Sequence, residues 1–523
     1  MRKIFLNILL FLFTACEIGD INDVKDENEE TVDSSSIFYV SHLGSNDNDG
    51  SLEKPWKTIQ FAIDSIHEKA TIVIKSGIYN ERVFFVGDED SNIYLKGEKG
   101  SIIDGSGLNP VNRQALIEIQ NAHHIIVENL ELRNFKTKLK YEAIDTPVGI
   151  LIEGRSHDIN ITKNRVHHIE NLSTCGESSG CASGANGISV YGNKSTTISN
   201  LNFIGNEVYN CVLSSSEAFT INGNVDGFKI IDNYIHDNNN IGLDIVGYEK
   251  DVCPECSEEE NRARNGIVKG NRLVNNSVKL PLGTFNKNPW YEGEGGSAGG
   301  FYVDGGHHIL FEGNYASQND LGFEFASEHA GKSSSDILMV NNYIYNNREA
   351  GLSLGGYSSD SRKEGGGNAQ NIMVYNNSFY KNAGWGSEIS FAFRVYDTTL
   401  ANNIVYGEGE VSENFVKENF GAYRNITWGK NIWWAEDVAD TSGLEGEALV
   451  KNPLYLDASK GNLDLNSSSP AVNEAIDQSA ITSWSGSFWE NEFADGLIPA
   501  SGTKDIHGQQ RIHEQLDIGA DEV

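Results

Sequence analysis

Through the middle of the chain one unit recurs: a glycine, then residues that alternate between apolar and polar. It reads Gly149-Ile-Leu-Ile, Gly187-Ile-Ser-Val, Gly242-Leu-Asp-Ile, Gly300-Phe-Tyr-Val, Gly322-Phe-Glu-Phe and Gly351-Leu-Ser-Leu. A period of two sends successive side chains to opposite faces of a strand. A second signature, Asn-x-apolar-(Tyr/His), accompanies most copies and starts at Asn164, Asn206, Asn233, Asn342, Asn377 and Asn403, with looser copies at Asn129, Asn271 and Asn314. The shortest repeats span roughly 22–24 residues, near the range of solenoid units. No repeat carries a helical apolar period. A unit of this kind cannot bury its apolar side alone, but stacked copies form a continuous interior. Strands of successive coils then pair in parallel about 4.8 Å apart, and asparagines at equivalent turns can stack in a hydrogen-bonded ladder. The expected fold is all-β: a single-stranded right-handed parallel β-helix of about ten to twelve coils. A propeller would need longer, evenly spaced repeats.

Aligned on the glycine, the residues one and three later point inward and those two and four later point outward. The first outward column reads Leu151, Ser189, Thr220, Asp244, Tyr302, Glu324, Ser353, Ser390. The second reads Glu153, Tyr191, Asn222, Val246, Asp304, Ala326, Gly355, Ala392. Asp244, Asp304 and Glu324 therefore fall on three consecutive coils with Tyr302 among them. Outward acids are common on a solvated face. Like charges on neighbouring strands repel, however, and neither column supplies a Lys or Arg there. Such a group calls for a bound cation, a raised pKa or a substrate.

The two largest insertions, Gly247 to Arg264 and Lys279 to Ala298, adjoin these coils. Loops lengthened beside one part of a solenoid form its binding face. They carry Tyr248, Glu249, Trp290 and Tyr291, and later loops add Glu328, His329, Tyr357 and Trp385. Aromatic faces suit stacking on sugar rings. Trp56 reads instead as packing. His307-His308 matches His123-His124 at the same point of another coil, so both pairs read as turn residues, whereas His329 has no such twin.

Charge narrows the class. The formal net charge is −34, with Gly at 54 and Pro at 9, which disfavours nucleic acid or an anionic membrane surface as partner. Met1-Arg-Lys3 and the apolar run Ile4 to Phe13 read as a targeting segment too short to span a bilayer. Its ending, Leu12-Phe-Thr-Ala-Cys16, resembles the lipobox of bacterial lipoproteins, which implies acylation at Cys16 and a lipid anchor. The acidic residues 17–35 read as a disordered tether. The expected organisation is a signal peptide over 1–16, the tether over 17–35, a capped β-helix over 36–435 and a closing segment over 436–523. The expected location is the outer membrane, facing the periplasm or the cell surface, as a monomer. Outside the cytoplasm, Cys175/Cys181 and Cys253/Cys256 are most simply disulfides that pin loops. A zinc site made of these four is the alternative.

Two further stretches carry a resemblance. Phe38-Tyr-Val-Ser, Gly44-Ser-Asn-Asp-Asn-Asp-Gly50 and Pro55-Trp-Lys-Thr-Ile-Gln-Phe-Ala-Ile63 resemble the N-terminal cap of secreted β-helical carbohydrate-active enzymes. Asp505-Ile-His-Gly…Arg511…Asp517-Ile-Gly-Ala-Asp521 resembles the closing segment of the same group. The strands Gly300–Asp304 and Gly322–Phe325 are similar to the catalytic strands of β-helical glycoside hydrolases of the β-xylosidase type. That resemblance implies Asp304 as nucleophile and Glu324 as general acid/base, with no cofactor required. It lacks that family's Trp residues beside the Asp. Adjacent coils bring carboxyls towards the retaining separation of about 5–5.5 Å, while Asp244 and Glu324, two coils apart, approach the inverting range of about 6.5–9.5 Å. The alternative is a polysaccharide lyase or dehydratase acting on uronates. In it Asp244, Asp304, Glu324 and Glu328 hold Ca²⁺ and Arg394, Lys332 or Arg348 serves as base. A non-catalytic surface glycan-binding protein is the third reading.

Overall fold

Each coil contributes up to three short strands, and each strand pairs in parallel with its equivalents in the coils before and after. The result is three long sheets of 13, 11 and 13 strands. This is a right-handed parallel β-helix, the hand that strand twist imposes on parallel crossovers. The computed structural model describes residues 36–177, 183–291, 295–382, 384, 387–407, 416–418, 423–436, 446–476, 481–511 and 516–523. Parallel pairing continues past residue 435, to Asn431–Trp434 against Ala448–Leu449. The helix Ile59–Asp64 closes the first coils, with Thr58 accepting from the Phe61 N–H at its start. Trp56 packs there, 6 % exposed and stacked on Phe38.

The inward columns form the core. Phe301 and Phe323, on adjacent coils, stack at 4.5 Å between centroids, and Phe311 and Phe325 close around them. The strands that carry Tyr302, Asp304 and Glu324 outward are thus backed by interlocked rings, which restricts how far their outer side chains can shift.

Asparagine governs the turns. Asn164, Asn206, Asn233, Asn271, Asn314, Asn342, Asn377, Asn403 and Asn431 form one continuous ladder, each side-chain amide donating to the next carbonyl at 2.8–3.2 Å. Asn129 is not a rung. Its φ is +60° and its amide donates to the Gly97 carbonyl, while the Leu130 N–H takes the ladder position by donating to Asn164. Asn431 is an additional rung. A second ladder runs parallel through Asn238, Asn276, Asn319, Asn347 and Asn382 and ends on the Glu388 carboxylate. The residue before each of these five rungs is left-handed, from Asp237 to Lys381, a conformation that short polar residues tolerate best.

The second ladder accounts for the later repeat glycines, whereas Gly149 and Gly187 make room for Val166 and Val208. A Cβ at Gly300 would lie 2.6 Å from the Asn319 amide nitrogen, one at Gly322 2.9 Å from that of Asn347, and one at Gly351 3.1 Å from that of Asn382. Glycine leaves room for the rung beside it. The ladder therefore lies beside the start of the strands at Gly242, Gly300, Gly322 and Gly351.

The closing segment folds back along the outside of the coils. Trp489 is fully buried over Ile267, Leu310 and Leu338, and its indole N–H donates to Asn265 Oδ1 at 2.8 Å. The Asn341 amide donates to the Ser501 carbonyl, and the Ile476 N–H to Asn402. Arg511 is 1 % exposed and pairs with Glu522 at 2.7 Å.

Candidate active site

Strand register places the carboxylates. Thr220 pairs with Asp244, Asp244 with Tyr302, Tyr302 with Glu324 and Glu324 with Ser353. Asp304 pairs with Ala326 in the neighbouring column. The outward face is not solvated, because the insertions roof it into a cleft of about 600 Å³. Asp244, Tyr302 and Asp304 are each 4 % exposed. Trp290, Tyr291 and Tyr357 line the cleft walls; the first two are half-buried, and the Tyr291 hydroxyl accepts from Asn240 at 3.2 Å.

Among the described residues, eight carboxylates line this cleft. Glu217, Asp244, Asp304, Glu324 and Glu328 are inside; Glu177, Glu249 and Glu364 stand exposed at the rim. Among the described residues Arg113 is the one cationic side chain of the lining, and its guanidinium lies 3.9 Å over the Tyr191 ring. Burial, then mutual repulsion, raises the inner carboxyls: Glu217 and Glu324 to about 8 and Glu328 to about 7. Asp244 and Asp304 also lie well above the usual carboxylate range, chiefly through burial.

Asp304 and Glu324 differ in one respect. Asp304 Oδ1 accepts from the Glu328 N–H at 2.8 Å, and Ser327 also bonds its carboxylate, so part of the burial penalty is offset in the ionised form. Glu324 has no such lowering contact; burial and the Glu328 charge both favour its proton. Both carboxyls are raised by burial; only at Asp304 do hydrogen bonds offset part of that penalty. His329 Nε2 is 3.9 Å from Asp304 Oδ2, and burial lowers its pKa, which favours a neutral ring there. The Tyr302 hydroxyl points to Glu328 Oε1 at 3.5 Å.

Some expected residues lie elsewhere. Tyr248 is not a lining residue of this cleft. It adopts φ +69° and packs under Arg262, whose guanidinium lies 4.8 Å from its ring centroid. Trp385 lies outside the described residues, as do Cys16 and Cys181. Cys253 and Cys256 form a disulfide that closes the loop following Glu249, which leaves no zinc ligands there. None of the expected bases lines the cleft. Arg394 is tied to the carbonyls of Ser358, Gly365 and Gly367. Lys332 pairs with Glu258, and Arg348 bonds Asn275 and the Gln318 carbonyl. Among the described residues, three groups bring three potential metal ligands within 4.8 Å of one another; none includes Asp244, Asp304, Glu324 or Glu328. The four carboxylates as placed do not make a compact Ca²⁺ cage, which needs six to eight oxygens at about 2.3–2.6 Å.

Glu217 escaped sequence reasoning. It lies two residues before the strand Phe219–Gly223, outside the columns counted from the glycine, but level with Asn186, whose amide donates to its carbonyl. Arg113, Glu177 and Glu364 come from other coils and loops, without a shared period.

Against known proteins, the chain is 30% identical over 420 residues to a Bacillus subtilis (strain 168) protein described as the uncharacterized protein YwoF, covering 77% of this chain and 81% of that one. The chain belongs to the YwoF family. No protein-family model matches it. Among solved structures, the YwoF-family chain is similar to the GH136 lacto-N-biosidase from Eubacterium ramulus, with 14% identity and a TM-score of 0.51 over 79% of this chain and 68% of that one. It also matches pectate lyase Pel9A, with 14% identity and a TM-score of 0.45 over 94% and 97% of the two chains. At these identities the likeness speaks to the fold alone, and the second match is too distant to argue from.

Proposed function

We propose that this protein is a carbohydrate-active enzyme of the glycoside hydrolase type, acting on a plant or algal polysaccharide or oligosaccharide. One observation carries the proposal: Asp304 and Glu324 project from paired strands of adjacent coils into one aromatic-walled cleft, with burial favouring the Glu324 proton and the Glu328 N–H bonded to Asp304 Oδ1, the oxygen that would carry the nucleophile's charge. The resemblance of these strands to β-xylosidase-type hydrolases agrees with the roles. Asp304 attacks the anomeric carbon while Glu324 protonates the departing oxygen. Glu324 then deprotonates the water that releases the sugar from Asp304. Asp244, two coils from Glu324 in the same column, is a buried carboxyl whose proton burial favours, and it offers a hydrogen bond to the bound sugar. The lyase reading would need a metal cage and a cationic base. Loss of activity on chelation, restored by Ca²⁺ with an unsaturated product, would overturn the hydrolase in its favour.

The pH dependence follows from Glu324. A carboxyl with a pKa near 8 stays protonated through neutrality, so kcat/KM should fall as pH rises through about 8. An unfolded Glu titrates near 4.3, so the folded chain holds a proton there that the unfolded chain releases. This contribution to stability is greatest below about pH 4.3 and is lost as pH rises towards 8. Glu324→Gln should therefore remove the alkaline limb with activated aryl glycosides, and raise Tm relative to wild type above pH 8. An alkaline limb unchanged in Glu324→Gln would exclude it as the acid.

For location, the lipobox-like ending at Cys16 supports a lipid-anchored outer-membrane protein. Cys16→Ser should move the protein from the membrane to the soluble fraction. Retention in the membrane pellet would reject the anchor.

A further inference from the structure

The cleft floor on the N-terminal side of Asp304 carries four polar atoms with no hydrogen-bond partner among the described residues. Ser189 Oγ, Thr220 Oγ1 and Asp244 Oδ1 stand in one column on three successive coils, and Asn222 Oδ1 lies in the next column. Exposure of these residues is 0 %, 5 %, 4 % and 8 % for Ser189, Thr220, Asp244 and Asn222. Leaving buried polar atoms unpaired is costly, and native chains keep them where a ligand or catalysis uses them. Four along one strip, all lining the same cleft, mark a surface shaped for a polar partner.

The atoms define that partner. Two are hydroxyls, able to donate and accept. Two are carbonyl or carboxylate oxygens, and the amide of Asn222 is already committed to Glu249 at 3.1 Å. The complement is a group of hydroxyls. The Tyr191 ring stands beside Asn222 in the adjoining column, backed by the Arg113 guanidinium, and offers a face for a sugar ring at the strip's far end. Three coils at about 4.8 Å per step give a strip about 9.6 Å long between the outer Cα positions. A uronate would bring its carboxylate among eight others while the cleft's arginine is occupied at Tyr191.

We propose that Ser189, Thr220 and Asn222 form a subsite for an uncharged sugar, bound through its hydroxyls. The glycan chain then runs along the helix axis from Tyr191 towards Asp304. This rests on the carbohydrate-active reading above and adds its substrate class: neutral glycans rather than uronates.

The test is binding, measured by calorimetry on the Glu324→Gln protein so that no ligand is consumed. The probes are cellohexaose, xylohexaose and mannohexaose as uncharged chains, hexagalacturonate as the anionic chain and a glucosamine hexamer as the cationic one. At least one uncharged hexamer should bind more tightly than both charged ones. Adding Ser189→Ala and Thr220→Val should weaken it tenfold or more while leaving Tm unchanged or higher, because those hydroxyls have no partner among the described residues. A lowered Tm with unchanged affinity would make the hydroxyls structural and overturn the subsite. So would preference for either charged hexamer, or binding of none. If binding behaves as expected but Asp304→Asn and Glu324→Gln remain active, the catalytic assignment fails and the subsite stands.

Discussion

Asp304→Asn should abolish turnover, by about 10⁴-fold or more in kcat, as removal of a covalent nucleophile does. The fold should survive. Asparagine keeps an oxygen to accept the Glu328 N–H at the position of Oδ1, and it removes a carboxyl that burial already disfavours as an anion. Circular dichroism and Tm near wild type, with turnover gone, are the expected pair of results. Asp304→Gly goes further, because it opens a space on the face from which the nucleophile attacks. Azide should restore turnover there and yield a glycosyl azide of inverted configuration. An inverting enzyme that used Asp244 against Glu324 would give no azide product at position 304, and its first hydrolysis product would have the opposite anomeric configuration from the substrate. Full activity in Asp304→Asn would end the assignment.

Asn314→Leu should cost about 3–6 kcal/mol. The Asn314 amide donates to the Val268 carbonyl and to Asn342, and its carbonyl accepts from the backbone and side-chain N–H of Asn271. Asn314 is fully buried, so leucine strands partners that water cannot reach, each at about 1–3 kcal/mol. Denaturant midpoints and hydrogen exchange should both report it. The loss of protection should centre on the coils around Val268, Asn271 and Asn342, because each coil contacts mainly its neighbours. An unchanged midpoint would mean that the ladder contributes nothing net.

Much of this architecture was legible from period-two patterning because every coil repeats the same register, so aligning the glycines aligned the strands. The column from Ser189 through Asp244, Tyr302 and Glu324 to Ser353 is found as read. The second asparagine ladder was also written in the sequence. Asn238, Asn276, Asn319, Asn347 and Asn382 each follow a rung of the first ladder by five residues. What periodicity cannot supply is the roof. Glu217 enters from a turn, and Arg113, Glu177 and Glu364 from segments far apart in the chain. Tyr248 lines an adjoining hollow with His329 and Lys332, its ring packed against Arg262, fourteen residues on in the same insertion. Loop aromatics obey local packing, not the coil repeat.

The strap formed by the closing segment alters how such a rod can come apart. A stack of coils that touch only their neighbours opens from an end, one unit at a time. Here Trp489 reaches back to Asn265, Ser501 to Asn341 and Ile476 to Asn402, across 224, 160 and 74 intervening steps of sequence. The later coils cannot peel away singly while those ties hold. Their fraying is converted into one concerted event whose barrier includes undocking the strap. The same long loops make its docking a late step in folding, taken after the local coil-on-coil contacts have formed. Asp304 and Glu324, which lie on the strapped span of coils, therefore gain resistance to unfolding from a segment whose described residues do not line the cleft.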